Sequence, residues 1–328
     1  MLGKFSRIVG VASLVVSGLL VACSPHATQP DQVTLQLNWY HEAEFAGYYV
    51  AEAQGFYADE NIAITILEGS LEGDPSQLLI DRSVDFAVLP LAAQKHALAA
   101  GQPLVTTMAV FQIPPLVAFA LSDSGISSPR DLVGRRVAIK NEIWRRIIHD
   151  MLTNAGVDPA EIIEVEVESN ALELLYNREV DVWTGYVHDE PAEARLAGYD
   201  VNLIFPADYG VGSYEGLLAV HQETLDQNPD GSTELTAGRV ARFVRASLLG
   251  WQYAIEHPAE AAEIVARWQP DKSLEFHQLA LRSLAPLIDT GQVPLGWIDA
   301  ESWRIAMGTS YDPERPGYTM QFVPAAQK

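Results

Sequence analysis

The sequence predicts an α/β protein that is divided into two lobes. Short apolar strands alternate with helices through most of the chain, a pattern typical of parallel sheets with helices on both faces. The chain has 328 residues, more than usually form one core, so two lobes are expected. A turn-rich stretch at residues 122–130 separates two series of strands and helices and marks a lobe boundary.

Residues 1–22 have the layout of a secretory signal. Lys4 and Arg7 precede an apolar run over residues 8–21, and small residues then lead into Cys23. The run is too short to cross a bilayer core about 30 Å thick as a helix. The position of Cys23 resembles the cleavage box of bacterial lipoproteins, which implies a lipid anchor at the extracytoplasmic face of the cell membrane. The alternative is an ordinary signal peptide with a cysteine there by chance.

The charge of the chain and its single cysteine exclude some kinds of ligand and of covalent cross-link. The sequence contains one cysteine, so the exported chain forms no internal disulfide. The formal net charge is −22, and cleavage before Cys23 would remove two positive charges and no acid, which gives −24. Such a surface repels nucleic acid and disfavours a strongly anionic ligand. The polar residues 23–32 are predicted to form a flexible tether.

The first series of elements runs from residue 33 to residue 111. Its opening strand, VTLQLN, alternates apolar and polar residues. The next helix ends at Gly55, and the one after it begins with Asp74 as cap and Pro75 in its first position. The predicted strands are 33–38, 62–67, 84–89 and 104–111, and the predicted helices are 44–54, 75–82 and 91–100.

The second series follows the turn-rich stretch. Its predicted strands are 136–139, 162–167, 180–185 and 201–205, and its helices are 142–154, 171–178 and 190–197. Beyond about residue 235 the sequence predicts helices alone, at 236–256, 259–268, 273–287 and 298–307. We expect the chain to cross back at the glycine-rich residues 209–216. The first lobe then comprises 33–118 and 219–328, and the second comprises 119–218.

Aromatic and polar residues follow several of the predicted strands. Ligands of open α/β sheets bind beyond the carboxyl ends of the strands, so residues in these places are candidates for a binding site. The predicted site comprises Trp39, Tyr40, Glu44, Gln112, Asn141, Glu142, Trp144, Tyr186, Glu190 and Tyr214. Two alternatives stay open: several of the aromatics fill the lobe cores, and Glu190 stabilises the start of a helix.

Motifs for catalysis are absent from the sequence. It contains no G-x-x-x-x-G-K-[ST], no H-E-x-x-H, no G-x-S-x-G and no cysteine pair for zinc. The histidines are scattered without the spacing of metal ligands. We therefore predict a binding protein with no catalytic residues, no metal and no cofactor.

Several segments resemble the NMT1/THI5-like solute-binding proteins. They are Trp39-Tyr40, EFAGYYVA at 44–51, GFY at 55–57, VDFA at 84–87, SPRDLVGRRVA at 128–138, Gly185-Tyr186 and Glu190-Pro191. The resemblance implies a two-lobe periplasmic-binding-protein fold of type II with the ligand cleft between the lobes. It also implies partnership with the permease and ATPase subunits of an ABC importer. The family's fungal branch comprises pyrimidine synthases marked by a cysteine-rich motif, which this sequence lacks.

The family binds riboflavin or thiamine pyrimidine precursors, and the residues suit ligands of this kind. Aromatic faces such as Trp39 and Tyr186 stack on flat rings, and side chains such as Glu44 accept hydrogen bonds from hydroxyls and ring amines. One base, Lys140, lies among the candidates, which disfavours a phosphorylated ligand such as FMN. We expect a neutral heteroaromatic vitamin, with riboflavin ahead of a thiamine pyrimidine precursor.

Overall fold

The computed structural model describes residues 29–70, 72–168, 171–226 and 238–324. The predicted signal peptide, Cys23 and the first part of the tether lie outside these ranges. Within them, none of the helices is both long enough and apolar enough to cross a membrane. The first strand begins at Asp31, inside the predicted tether.

Five strands form the main sheet: β1 (Asp31–Gln36), β2 (Ile62–Leu67), β3 (Phe86–Leu89), β4 (Leu104–Phe111) and β10 (Glu215–His221). Their order is β2-β1-β3-β10-β4. Strand β1 runs parallel to β2 and β3, whereas β10 runs antiparallel to β3 and β4. The carboxyl ends of β1 and β3 and the amino end of β10 therefore lie at one edge of this sheet.

The remaining strands form two smaller sheets: β5 (Leu116–Leu121), β6 (Arg136–Ile139), β7 (Ile163–Glu166), β8 (Trp183–Tyr186) and β9 (Val201–Ile204). Strand β5 pairs antiparallel with both β8 and β9, and β6 pairs parallel with β7. A parallel bridge between Val137 and Val182 joins the two small sheets. The ends of β6 and β8 consequently lie side by side.

Helices separate most of the strands and then fill the last part of the chain. Their bounds are α1 (Ala46–Ala53), α2 (Phe56–Asp59), α3 (Pro75–Ile80), α4 (Leu91–Ala99), α5 (Glu142–Asn154), α6 (Glu173–Tyr176), α7 (Glu190–Leu196), α8 (Gln222–Asp226), α9 (Arg239–Glu256), α10 (Pro258–Trp268), α11 (Leu274–Ile288) and α12 (Ala300–Met307).

Helix α9 packs tightly on α1, beside the main sheet. A Cβ on Gly47 would lie 2.2 Å from the Trp251 ring, and one on Gly250 would lie 2.0 Å from the Gly47 carbonyl oxygen. Trp251 is 1% exposed. Glycine at these two positions lets the helices approach closely, so the last part of the chain returns to the helix that follows β1.

Two strands were not predicted. The run Leu116–Leu121 is apolar without alternation, so the pattern predicts no strand there, and the glycine-rich residues 209–216 predict a crossing although β10 begins at Glu215. The predicted boundaries after residues 118 and 218 each fall inside one of these strands, so the chain changes sheet slightly before each of them. These strands also make two of the sheets antiparallel or mixed, where parallel sheets were expected. The division into lobes that move separately stays a prediction.

Candidate functional site

Two chain segments from different sheets meet where their strands end. A loop and a short 3-10 turn at Ala43–Phe45 follow β1 and carry Glu42 and Glu44. On the other side, His188 follows β8. Its Nε2 lies 3.5 Å from Glu42 Oε1, so the main sheet and the small sheets contact each other through polar side chains at the edge where ligands of α/β proteins bind.

Glu42, Glu44 and His188 form what we call the acid–histidine cluster. One ligand-type atom from each residue lies within 4.8 Å of those of the other two. Burial raises the pKa of Glu44 to about 8; the charge of Glu42 adds to this effect, and His188 opposes it. Burial lowers the pKa of His188, but its hydrogen bond to Glu42 and the surrounding carboxylates outweigh burial and raise the pKa to about 9.

Two further acids face this cluster. Burial raises the pKa of Asp189 to about 7, with the charge of Glu190 as the next cause. Burial also raises the pKa of Glu215 to about 7, although the backbone NH of Leu91 donates a hydrogen bond to it that acts in the opposite direction. The raised pKa values mean that burial keeps these acids partly protonated near neutral pH, so the site offers both donors and acceptors of hydrogen bonds to a polar ligand.

Lys140 and Glu190 form a buried ion pair at the ends of β6 and β8. Their side chains are 6% and 9% exposed. The second oxygen of Glu190 accepts a hydrogen bond of 3.0 Å from the backbone NH of Tyr186. The Lys140 ammonium also lies 5.7 Å from the Trp144 ring centre and 5.6 Å from that of Trp183. Because the Lys140 ammonium is already paired with Glu190, it is not available to neutralise a phosphate group.

Three aromatic side chains beside these acids are partly exposed. Trp39, Tyr40 and Tyr186 are 36%, 43% and 41% exposed. Trp39 and Tyr40 meet edge to face, with ring centres 5.4 Å apart, and Tyr186 packs edge-on against buried Trp144 at 5.8 Å. Trp39 and Tyr40 follow β1 and Tyr186 ends β8, so partly exposed rings occur after both strand ends.

The other predicted site residues make structural contacts. The side-chain oxygen of Asn141 accepts hydrogen bonds from the backbone NH groups of Ile143 and Trp144 at the start of α5. Glu142 is exposed and forms an ion pair with Arg145. These two residues therefore cap and flank a helix in this structure, and contact with a ligand stays a prediction for them.

Gln112 and Tyr214 lie against the late segments of the chain. The Gln112 amide donates to the carbonyl oxygens of Ala109 and Trp297, at 3.2 and 2.9 Å. Tyr214 is 5% exposed, and its hydroxyl accepts from the backbone NH of Asp299 at 2.9 Å. Neighbouring side chains at a strand point to opposite faces, so it is Glu215 rather than Tyr214 that turns toward the cluster.

Glu42, His188, Asp189 and Glu215 were missing from the predicted site. The signal for the first three was available, since they follow strands β1 and β8 among polar residues. Nothing in the sequence separates Glu42 from its neighbour His41, whose Nδ1 lies 2.9 Å from the Tyr49 hydroxyl and whose ring packs on Trp268. The direction of the turn decides which of the two faces the cluster.

The sequence matches one protein family and resembles several characterised proteins. The profile of the NMT1/THI5-like family matches residues 42–261. The chain is 31% identical to the 4-amino-5-hydroxymethyl-2-methylpyrimidine phosphate synthase of Legionella pneumophila, over 76% of this chain and 77% of that protein. It is 29% identical to the riboflavin-binding protein RibY of Chloroflexus aurantiacus, over 86% and 81% respectively. With the formylaminopyrimidine-binding protein of Halalkalibacterium halodurans it shares 26% identity, over 89% and 90%.

Structural comparison agrees with the predicted fold. The periplasmic aliphatic sulphonate binding protein of Escherichia coli superposes with a TM-score of 0.65 at 14% identity, covering 86% of this chain and 91% of that one. Likeness at this level of identity concerns the fold alone. It confirms the periplasmic-binding-protein fold, while the place of a ligand cleft stays a prediction.

Proposed function

Because the chain belongs to the NMT1/THI5-like family, we propose that it is the solute-binding component of an ABC importer and binds a flat heteroaromatic vitamin in its cleft. One observation carries the proposal: the carboxylates of Glu42 and Glu44 meet His188 where strands of different sheets end, and the half-exposed Tyr186 ring packs 5.8 Å from that of His188. Rings and acceptors of this kind bind a flat ring with several donors. The riboflavin-binding and formylaminopyrimidine-binding relatives have ligands of this class.

Riboflavin is the ligand that we favour. Its hydroxyl-bearing tail offers many donors, and the cleft offers the carboxylates of Glu42, Glu44, Asp189 and Glu215 as acceptors. A formylaminopyrimidine would use fewer of them and is the alternative. A phosphorylated ligand is disfavoured, because Lys140 is already paired with Glu190 and the surrounding charges are negative.

Calorimetric titration of the purified chain with riboflavin, FMN, thiamine and formylaminopyrimidine tests the ligand class. We expect riboflavin to bind more tightly than FMN. Trp39→Ala removes one stacking face and should weaken binding at least about two- to tenfold, since such contacts contribute about 0.5–1.5 kcal/mol beyond area burial. Tyr199→Ala is the matched control, because Tyr199 is 37% exposed and stacks on Tyr176 away from the cluster. Equal affinity of both variants, or a preference for FMN, would contradict the proposed site.

Export and anchoring complete the proposed role. The signal-like residues 1–22 and Cys23 support a lipoprotein held at the extracytoplasmic face of the cell membrane, where it would deliver its ligand to permease and ATPase partners. Cys23→Ala should move the protein from the membrane fraction to the soluble fraction. An unchanged distribution would exclude a lipid anchor on this residue.

A pyrimidine phosphate synthase is the second candidate function, because a relative with that name is 31% identical. Against it, the chain contains one cysteine, at the predicted lipidation site, and the cysteine-rich motif of the fungal enzymes is absent. Incubation of the purified chain with candidate precursors, followed by mass spectrometry, separates the two functions. Formation of a pyrimidine phosphate would favour the enzyme, and recovery of unchanged ligand from a tight complex would favour the binding protein.

A further inference from the structure

The acid–histidine cluster has the donor atoms of a metal site. We propose that Glu42, Glu44 and His188 bind one divalent transition-metal ion, such as Zn²⁺, between the turn after β1 and the end of β8. The ion would join the main sheet to the small sheets. This inference rests on the side chains alone and does not depend on which heteroaromatic ligand the cleft takes.

The spacing of the donors is close to that of a metal site. One ligand atom from each of the three residues lies within 4.8 Å of the other two, and Glu42 Oε1 lies 3.5 Å from His188 Nε2. Carboxylate oxygens and imidazole nitrogens lie about 2.0–2.2 Å from zinc, so two ligands of one ion are about 3–4 Å apart. Shifts of about 1 Å in the Glu42 and Glu44 side chains would bring the donors to these distances. Both residues belong to a turn outside the sheets, so no strand pairing opposes such shifts.

Unmet bonding capacity inside the cluster also indicates a ligand. His188 is 2% exposed, and its Nδ1 has no hydrogen-bond partner among the described residues. Its Nε2 makes the single long contact with Glu42. Buried polar atoms normally have partners. The long contact leaves Nε2 available to a metal ion beside the two carboxylates, and Nδ1 stays available for the outer hydrogen bond, to water for example, that a metal-bound histidine usually makes.

Nearby positive charge does not fill this role. Within the described ranges, Glu42 has one ion-pair contact, the one with His188, and Glu44 has none. Lys140, the buried cation that follows β6, is paired with Glu190 instead. The carboxylates of the cluster are thus left for a ligand of positive charge.

The mixture of donors selects the class of ion. One nitrogen and two carboxylate oxygens suit Zn²⁺ and its neighbours in the first transition row, whereas Mg²⁺ and Ca²⁺ prefer oxygen alone. Three protein ligands leave a further position of a tetrahedral ion open to water or to another ligand. We therefore expect discrimination against Mg²⁺.

Calorimetric titration of the chelator-treated full chain with ZnCl2 and MgCl2 tests this site. We expect one Zn²⁺ per chain and binding of Mg²⁺ that is at least about 100-fold weaker. His188→Gln and Glu44→Gln should each weaken Zn²⁺ binding by at least about 10–100-fold, since even the loss of a group that only orients a metal ligand costs that much. His149→Gln is the matched control, because His149 forms an exposed contact of 2.6 Å with Glu164 and should change neither affinity nor stoichiometry.

Fewer than one Zn²⁺ per chain, or equal binding by the parent, His188→Gln and Glu44→Gln, would overturn the inference. Thermal melting in chelator shows whether each variant folds; if His188→Gln does not, Glu44→Gln decides, since the glutamine is a neutral side chain of the same shape. Glu42 and Glu44 are also proposed acceptors for riboflavin, so riboflavin titration of His188→Gln, which removes only the metal ligand that the vitamin proposal does not use, keeps the two proposals apart. Loss of zinc binding with riboflavin binding intact concerns the metal site alone, and the reverse result concerns the vitamin site alone.

Discussion

The carboxylates on the two sides of the proposed cleft differ in how many hydrogen-bond and ion-pair partners they have. At the end of β8, both oxygens of Glu190 have partners, one in the Lys140 ammonium and one in the backbone NH of Tyr186. At the turn after β1, Glu44 has no hydrogen bond or ion pair from a described residue, and Glu42 has the long contact with His188. We call the side with Lys140 and Glu190 the first wall, and the side of the main sheet with Glu42, Glu44 and Glu215 the second wall. The carboxylate of the first wall has partners for both oxygens, whereas those of the second wall have few among the described residues.

The difference has consequences for stability. A buried carboxylate with an ammonium partner stabilises the strand ends that it joins, and removal of the partner leaves a charge that is costly to bury. Carboxylates that lack partners raise each other's pKa and repel each other when ionised. Mutations on the first wall should therefore reduce stability, while those on the second should mainly change binding and pH dependence.

Removal of Lys140 should have the largest effect. Lys140→Met leaves Glu190 buried without its partner, which typically costs about 3–5 kcal/mol. Arg304→Met is the control, because its ion pair with Glu301 is 53% and 64% exposed and such pairs contribute about 0–1 kcal/mol. Urea denaturation of both variants measures the free energy of unfolding. Similar losses in the two variants would show that the first wall is no more dependent on its ion pair than the surface is.

A smaller loss is expected at Gly185, behind the same carboxylate. A Cβ at this position would lie 2.1 Å from Glu190 Oε2, and the carboxylate is fixed by Lys140 and Tyr186 and has little freedom to move. Gly185→Ala should cost about 1–3 kcal/mol, as overpacking generally does. In a Glu190→Ala background the same change should cost clearly less, which a double-mutant cycle measures. An equal loss of unfolding free energy in both backgrounds would mean that the cost of Gly185→Ala does not come from a clash with Glu190.

Much of the fold could be predicted because local patterns determine it. Strands β2, β4 and β6 and helix α5 have the predicted bounds, since each is an apolar run or an amphipathic repeat between clear start and stop residues. Strand β5 lacks alternation, and its role depends on partners far along the chain. Such pairings are a tertiary property that periodicity does not record.

Prediction of the site had a similar limit. The rule that ligands bind beyond strand ends selected segments that the structure brings to one sheet edge, including those with Glu44, Tyr186 and Glu190; their contact with a ligand stays a prediction. It could not tell that Lys140 pairs with Glu190 across 50 positions of sequence. It also could not choose between adjacent residues such as Tyr214 and Glu215, because the orientation of the backbone decides which side chain faces the cleft.

The smallest effect concerns Glu215 on the second wall, and it appears as pH dependence. Burial raises its pKa from 4.5 to about 7. A folded-state pKa above the unfolded value means that the folded protein binds the proton more tightly, so the stabilisation is complete below pH 4.5 and is lost as the pH rises through 7. Glu215→Gln should therefore lose less thermal stability than the parent between about pH 5.5 and pH 8.5 in chelator.

The difference between the variant and the parent gives the share of the pH-dependent stability loss that comes from Glu215. Glu44 and Asp189 also have raised pKa values, about 8 and about 7, so part of the slope should remain in the variant. Glu301→Gln is the control: hydrogen bonds from Arg304 lower the pKa of Glu301, so this residue stays ionised over the whole range and its loss should leave the slope unchanged. A Glu215→Gln variant whose melting temperature falls as steeply as that of the parent would show that this carboxyl is solvated in the folded protein. In that case burial would cost the carboxylates of the second wall little, and the two walls would differ less in stability than the comparison of their partners predicts.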